Sequence, residues 1–355
     1  MKVGILTLPF NNNYGGLLQS YALQSFLKER GHDVWLIKRV SNLPKLKEIF
    51  KKNIKKLLRW SGSDANMKFF EHQYMQETEM IDKPVKYKLL DKYIFDAYVA
   101  GSDQIWRFAY TKERKEEYFL NFVSDKNAKK IAFAASFGVD YWDVEKEQTS
   151  IFVQLLKKFD AVSVREKTGI NLCKDYLNYN NAIQLFDSTL LMSVDFYRSL
   201  YDGKEIDNSG KIGVYLLDPN EQKKQLLSEF EKKCHIPSFI IGAKKNGNKY
   251  YYPRVSQWIK DFDTAEYIIT DSFHGMVFSI VFKKPFCVFG NKQRGLSRFS
   301  SLLSVFHLEN RLIDIDDISL VNINNLLPLP DYSLSSEILK LNKGKSTTFF
   351  KTVGL

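Results

Sequence analysis

The 355-residue sequence is poor in the features that mark secreted, membrane-spanning and metal-stabilised proteins. Its three cysteines, Cys173, Cys234 and Cys287, are widely spaced and odd in number, so no disulfide framework is expected. No cysteine–histidine cluster has the spacing of a structural zinc site, and we predict no metal site. No apolar run reaches the roughly 18 residues of a transmembrane helix, and no signal-peptide pattern precedes the first strand. We therefore expect a cytoplasmic protein.

Charge is plentiful but uneven. The formal net charge is +11, which suits an anionic partner such as nucleic acid, anionic lipid or a phosphorylated substrate. Residues 45–60 alone carry seven basic residues and one acidic one, with apolar residues at helical spacing. This stretch is either a helix packed on the domain with a solvated lysine face, or a peripheral attachment to an anionic membrane surface. No nucleic-acid-binding motif is present, so we predict no nucleic-acid partner.

One polar turn lies between a predicted buried strand at 265–269 and a predicted buried helix at 276–282. The turn reads Thr270-Asp271-Ser272-Phe273-His274-Gly275, and Asp271 and Ser272 are good N-cap residues. The first N–H groups of a helix attract anions, and glycine lets a ligand approach the backbone. His274 can exchange a proton near neutral pH. The turn is therefore either an anion-binding catalytic site or a capping turn with a satisfied histidine.

The same pattern recurs in the first half of the chain. A strand at 2–8 is followed by the loop 9–16, whose paired glycines open a helix. The fingerprint G-x-G-x-x-G is absent, so no dinucleotide is expected; Gly15 and Gly16 either approach a substrate or make a tight turn. Further predicted strands end at Gly101-Ser102-Asp103-Gln104 and at Arg165-Glu166.

Two successive β/α alternations, joined by a polar stretch at 202–210, predict an α/β protein with two Rossmann-like domains facing across a cleft. We place the first domain at 1–205. The second spans 206–355, including the polar turn at 270–275 and a C-terminal helical tail.

Five motifs in order resemble those of the polysaccharide pyruvyl transferase family. They are N-Y-G-G-x-L-Q-x-Y-A-L-Q at 13–24, D-A-Y-V-A-G-S-D-Q-I-W-R at 96–107, A-S-F-G at 135–138, S-V-R-E at 163–166 and T-D-S-F-H-G at 270–275. The resemblance covers about residues 1–310. It implies a fold like that of the GT-B glycosyltransferases and transfer of a pyruvyl group from phosphoenolpyruvate (PEP) to a sugar, forming a ketal, with PEP as co-substrate and no cofactor.

The resemblance also assigns roles to individual residues. His274 matches the catalytic histidine of the family, and Arg165 matches its donor-binding arginine. Some members carry a lysine about twenty residues after the histidine, a position held here by Arg294 with Lys292 nearby. A second departure is Asp187-Ser188-Thr189, where many members have D-P-T; loss of the proline is expected to loosen this turn.

From these motifs and from position, we assign catalytic roles to His274, Arg165 and Asp271, with Asp271 orienting His274. Donor binding falls to Arg165, Ser272, Gly275, Lys292 and Arg294. The acceptor is expected to contact residues of the first domain, namely Asn13, Tyr14, Gly15, Gly16, Gln19, Ser102, Asp103 and Gln104.

Other functions remain open from the residues alone. A sugar-nucleotide glycosyltransferase would share the fold, and a non-catalytic glycan- or lipid-binding protein would share the cleft. The sequence leaves open which sugar is the acceptor, and whether that sugar is free or lipid-linked at the inner face of the membrane.

The membrane interpretation of residues 45–60 gives a test. Each basic residue near an anionic surface contributes roughly 1 kcal/mol of attraction. Changing Lys51, Lys52, Lys55 and Lys56 to Gln should therefore abolish salt-sensitive co-sedimentation with anionic vesicles. If the variant still binds vesicles, the membrane interpretation is wrong and residues 45–60 are a packed surface element.

Overall fold

The computed structural model describes residues 1–39, 65–246, 249–290, 295–314 and 321–355. Within these ranges, none of the helices combines the length and the apolar character that crossing a bilayer requires. The basic stretch at 45–60 lies outside the described residues, as do Lys292 and Arg294.

The first half of the chain forms a parallel sheet with the described strands in the order β2-β1-β3-β4-β5-β6. These strands are β1 (Lys2–Leu6), β2 (Asp33–Leu36), β3 (Ala97–Ala100), β4 (Lys129–Ala135), β5 (Ala161–Val164) and β6 (Ile183–Gln184). The accompanying helices are α1 (Tyr14–Lys28), α2 (Ala65–Tyr74), α3 (Phe108–Thr111), α4 (Lys146–Leu156), α5 (Lys167–Leu177) and α6 (Val194–Arg198). Short 3₁₀ segments cover Pro84–Tyr93, Lys112–Phe119 and Ser188–Leu191.

The second half forms another parallel sheet, in the order β13-β12-β11-β7-β8. Its strands are β7 (Ile212–Tyr215), β8 (Ser238–Ile240), β11 (Tyr267–Thr270), β12 (Phe286–Gly290) and β13 (Leu312–Asp314), and a separate antiparallel pair is formed by β9 (Lys244–Asn246) and β10 (Lys249–Tyr251). The helices are α7 (Glu221–Cys234), α8 (Val255–Thr264), α9 (Phe273–Val281), α10 (Leu296–Phe306) and α11 (Ser335–Lys351), with short 3₁₀ segments at Glu309–Arg311 and Ile323–Asn325.

Both parallel sheets are covered by helices, and the burial of their central strands reflects this. The central strands β3, β5, β7 and β11 are buried at every residue, as expected for strands with helices on both faces. The carboxyl ends of such strands face one edge of the sheet, where ligands bind in open α/β folds. The architecture confirms the predicted α/β class with two Rossmann-like halves.

The two halves share a continuous core. Residues of α1, α8, α9 and α11 belong to one buried apolar cluster. Tyr14, at the start of α1, stacks on Trp258 of α8 with ring centroids 5.5 Å apart, and its hydroxyl donates to the Pro253 carbonyl at 2.7 Å. This contact fixes the first helix of one half against the other half.

The C-terminal helix α11 returns to the first half. Phe350 is fully buried, with its ring 4.9 Å from Phe133 of β4 and 6.0 Å from Phe26 of α1. Asn342 accepts a hydrogen bond from the Phe186 backbone N–H, and Thr347 accepts one from Arg30. The predicted tail of the second domain therefore packs on elements of the first. The domain boundary predicted at 205/206 divides the two sheets. It assigns α11 to the second domain, although this helix packs on the first.

This packing predicts a large stability effect at the end of the chain. Phe350→Ala should lower the free energy of unfolding by about 3–5 kcal/mol, because it leaves a cavity between α11 and the first sheet. Leu341→Ala on the same helix is the matched control, since Leu341 is 57% exposed and its loss should cost under about 0.5 kcal/mol. Denaturant unfolding measures both, and equal effects would show that α11 is not anchored by Phe350.

Candidate active site in the cleft

A cavity of about 510 Å³ lies where the strand ends of both halves meet. This volume falls in the range of about 300–1,000 Å³ that is typical of small-molecule sites. The first half contributes the loop after β1, residues after β3 and the 3₁₀ segment at 112–119. The second half contributes Leu217 after β7, the turn between β11 and α9, and Arg298 of α10.

His274 lines this cavity from the first turn of α9. Ser272 is the N-cap of the helix, and its hydroxyl accepts from the Gly275 N–H at 3.3 Å. The ring of His274 packs against Gly15, where an added Cβ would lie 2.2 Å from Nδ1. Gly15 is therefore needed to leave room for the catalytic histidine candidate, rather than to approach a substrate.

The partner of His274 is Asp187, not Asp271. Asp187 Oδ2 lies 3.5 Å from His274 Nε2, a distance at which a protonated imidazole forms an ion pair. The two Asp271 oxygens are instead occupied by the N–H groups of Leu217 and Asp218 and by the Lys223 ammonium, at 2.6–3.0 Å. The predicted orienting role of Asp271 is thus wrong. Asp271 neither caps α9 nor contacts His274; it ties the loop after β7 to the end of β11.

Asp187 is completely buried and collects donors from three segments. Its Oδ2 accepts from Ser102 Oγ and from Arg165 Nη1, both at 2.7 Å. Its Oδ1 accepts from the Thr189 N–H at 3.0 Å and from the Thr189 hydroxyl at 2.7 Å. Burial alone would raise the pKa of this carboxyl, but His274, Arg165 and Thr189 hold the pKa well below its usual range. Asp187 therefore stays ionised beside His274.

The turn that carries Asp187 is anchored despite its lack of proline. The Ser188 hydroxyl donates to the Gln19 carbonyl at 2.6 Å, and Ser188 is fully buried. Proline would have no hydroxyl for this bond. Loosening of this turn relative to a D-P-T turn stays a prediction.

Arg165 lies behind the cavity lining. Its guanidinium is 4.2 Å from the centroid of the Phe273 ring, and its Nε and Nη2 have no hydrogen-bond partner among the described residues. Arg298 lies 5.4 Å from the same ring and does line the cavity. Burial and the nearby Arg165 charge lower the pKa of Arg298 to about 9. Two buried cations therefore flank one aromatic ring, and Asp187 pairs with one of them, Arg165.

The predicted site residues separate into two sets. Those that line the cavity are Asn13, Asp103, Gln104, Asp271, Ser272 and His274. Those that pack around it without lining it are Tyr14, Gly15, Gly16, Gln19, Ser102, Arg165 and Gly275. Tyr14 makes the contact between halves described above, and the missing side chain of Gly275 leaves room for Thr270 Oγ1, which would lie 2.2 Å from a Cβ. Gln19 is fully buried and donates to the Thr7 hydroxyl at 2.9 Å.

Several cavity residues were not predicted. Arg39 follows β2 by three residues, so the strand-end pattern that drew attention to Asp103 and Arg165 also applies to it. Lys112, Arg114 and Arg298 lie in a 3₁₀ segment and a helix, where the sequence gives no sign that they face a cleft.

The sequence profile described as "Polysaccharide pyruvyl transferase" matches residues 13–293, which contain most of the cavity residues but not those at 8–11 or Arg298. The chain belongs to the polysaccharide pyruvyl transferase family. Membership makes it a transferase enzyme that acts on a sugar acceptor in polysaccharide biosynthesis. No curated protein matches the sequence.

The fold of this pyruvyl transferase family member is shared with enzymes of other activity. A UDP-GlcNAc 2-epimerase from Methanocaldococcus jannaschii superposes with a TM-score of 0.54 at 13% identity, covering 93% of each chain. A putative UDP-N-acetylglucosamine 2-epimerase from Listeria monocytogenes gives 0.52 at 9% identity, covering 97% of this chain and 89% of that one. At these identities the likeness concerns the GT-B-like, two-domain Rossmann fold alone.

The buried Asp187–Arg165 pair of this transferase gives a test in which stability and activity respond differently. Asp187→Asn removes the carboxylate to which Arg165 donates and leaves it only Glu166 Oε2, at 3.9 Å, so the free energy of unfolding at neutral pH should fall by about 3–5 kcal/mol. The double variant Arg165→Gln/Asp187→Asn removes both charges and should recover much of this stability while remaining inactive. Denaturant unfolding and turnover are the measurements.

The loss of stability in Asp187→Asn should depend on pH in a definite direction. Folding lowers the pKa of Asp187, so its ionised carboxylate stabilises the folded protein at pH values above the unfolded pKa of about 3.9. This stabilisation is lost as the pH falls toward the folded-state pKa. The stability difference between the parent and Asp187→Asn should therefore shrink in acid. A pH-independent difference would contradict the proposed ion pairing.

Proposed function

We propose that this enzyme transfers the pyruvyl group of PEP to two hydroxyls of one sugar, forming a pyruvate ketal and releasing phosphate. The observation that carries the proposal is the Asp187–His274 pair at the N-terminus of α9, beside buried Arg298, in one cavity. PEP carries a phosphate and a carboxylate around one reacting double bond. Such a donor needs cations and helix N–H groups for its anions and a proton donor near its methylene carbon.

Donor binding is assigned to the α9 end of the cavity. The N–H groups of Ser272 and Gly275 are taken by Thr270 Oγ1 and Ser272 Oγ, so the donor's anion is assigned to the N–H groups of Phe273 and His274 in the first turn of α9. Arg298 adds a planar guanidinium that can pair with a carboxylate or a phosphate. Lys292 and Arg294 keep their proposed donor-binding roles from the sequence. Arg165 acts through Asp187, so we treat it as a positioning residue.

His274 moves the protons of the reaction. Ionised Asp187 faces Nε2, and we assign the exchange of protons with the substrates to Nδ1. Protonated His274 gives a proton to the methylene carbon of PEP, and the central carbon becomes a cation. One sugar hydroxyl adds to that carbon and returns its proton to His274.

Loss of phosphate then regenerates a cation at the same carbon, and the second hydroxyl closes the ketal. Of the two hydroxyl protons, one ends on the new methyl group by way of His274 and the other leaves with phosphate. Fixed cations beside the departing phosphate stabilise the charge as it develops. Asp103 and Gln104, which line the cavity from the first half, are placed to hold the acceptor hydroxyls.

Mass spectrometry of a panel of glycan acceptors incubated with PEP tests this function. The ketal product gains the mass of pyruvate minus water, and in D₂O its methyl group should carry one deuterium from the protonation step. His274→Gln should lower the rate of phosphate release by roughly 10²–10⁴-fold, the usual contribution of general acid–base catalysis, while PEP binding changes less. Transfer from a sugar nucleotide with release of nucleoside diphosphate, and no adduct from PEP, would show a glycosyltransferase instead.

A further inference from the structure

A groove of about 1230 Å³ lies between α11 and the edge of the first sheet. It is more than twice as large as the cleft cavity of about 510 Å³. Residues 160–162 and 181–184, at the amino ends of β5 and β6, form much of one wall, and α11 forms the other. The cleft lies at the opposite, carboxyl ends of the strands. No step of the proposed reaction uses the groove.

One face of α11 is exposed along this groove. Leu341, in the middle of the helix, is 57% exposed, whereas Phe349 and Phe350 at its end are buried. Ile183, on the facing wall, is 43% exposed. Large apolar side chains exposed on both walls of one groove mark an interaction surface. The exposed residues of α11 that line the groove lie on one face of the helix, namely Glu337, Lys340, Leu341, Gly344, Lys345 and Thr348.

The sheet edge beside this helix is open. β6 is the last strand of the first sheet, and β5 is its only partner among the described strands. An unpaired edge next to an apolar groove favours association, and folded proteins usually cover such edges. A partner that fills the groove would also cover Ile183 at the start of β6.

The charges of the exposed face are arranged symmetrically about Leu341. Glu337 lies four residues before it, and Lys345 lies four residues after it. Neither side chain has an ion-pair partner in the part of the chain that the structure describes. When two copies of a helix cross antiparallel at one residue, positions four before the crossing meet positions four after it, on both sides of the two-fold axis. Glu337 would therefore meet Lys345 of the partner subunit twice in one dimer.

We infer that the groove binds a second copy of this chain, and that the protein forms a two-fold dimer in which α11 crosses its counterpart at Leu341. A two-fold interface requires a surface that is complementary to itself, and this face has an apolar centre between one acidic and one basic side chain. Leu334, which is 51% exposed, lies seven residues before the crossing. It meets Thr348 of the partner subunit, seven residues after the crossing.

An anionic membrane is a poorer match for this surface. Lys340 and Lys345 would be attracted to it, but Glu337 and Asp160 line the same groove and would be repelled. A second copy satisfies charges of both signs, whereas a surface of one sign satisfies only one. Because the groove lies away from the cleft, the dimer leaves both clefts open to substrates.

Sedimentation equilibrium of the intact chain over a dilution series tests the dimer. The parent should dissociate from dimer to monomer on dilution. Glu337→Lys and Lys345→Glu each create two like-charge contacts per dimer, so each should raise the dissociation constant by roughly 10–100-fold. Combining both changes in one chain exchanges the two charges and should restore the parent value. An equimolar mixture of the two single variants should restore it as well, because every contact in the heterodimer pairs opposite charges.

Glu229→Lys is the matched control, because Glu229 is an exposed residue of α7 outside the groove. Its dissociation constant should equal that of the parent. Leu341→Ala should weaken the dimer, although it hardly changes the folding of the isolated chain, in which Leu341 is exposed. Thermal melting at concentrations where the parent is monomeric should give closely similar midpoints for all of these variants.

Two results would overturn the inference. One is a parent chain that stays monomeric at every concentration, including one that binds anionic vesicles instead. The other is a dimer that withstands both single charge reversals or that the double exchange fails to restore, because its copies would then associate through another surface. Neither result depends on PEP transfer, so the proposed function is tested separately.

Discussion

The Asp187 carboxylate is the interaction on which the cleft depends. It is almost completely buried, yet it remains ionised because Arg165, Thr189, Ser102 and His274 surround it. A buried charge of this kind costs several kcal/mol unless its partners are in place. The turn at 187–189 therefore fixes the ends of β3 and β5 and the start of α9 relative to one another. The catalytic histidine candidate takes its position from this arrangement rather than from its own helix alone.

The cationic side chains that line the cavity are held in place by their neighbours. Four cationic side chains line it against the carboxylates of Asp103 and Asp271, and Asp271 is already paired with Lys223. Electrostatic preorganisation requires that such charges be held in place before the substrate arrives. Here Glu117, Phe273 and Tyr118 hold them, through ion pairs and cation–π contacts.

The fold and the chemistry are separable in this enzyme. Its fold is shared with UDP-GlcNAc 2-epimerases of 9–13% identity. The chemistry of this chain depends on the side chains that its strand ends deliver, above all His274 with Asp187. Function in such folds lies in the site, and the shared scaffold supplies only its position.

The sequence by itself determined the fold class, the family and the catalytic histidine candidate. Apolar strands alternating with helices predict parallel sheets, and a polar turn after a strand predicts a ligand site, because both signals are local in the chain. Asn13, Asp103, Gln104, Ser272 and His274 were identified in this way. Gly15 was also recognised, although as a substrate contact rather than as the space for the His274 imidazole.

Tertiary structure alone decided which groups meet. His274 pairs with Asp187, which lies 87 positions earlier in the chain, while adjacent Asp271 is drawn away by Lys223. Arg114 and Arg298 reach the cavity from segments that look like ordinary surface in sequence. The return of α11 to the first half follows from the burial of Phe350. Such pairings depend on distances between segments far apart in the chain, whereas residue patterns report only on neighbours along it.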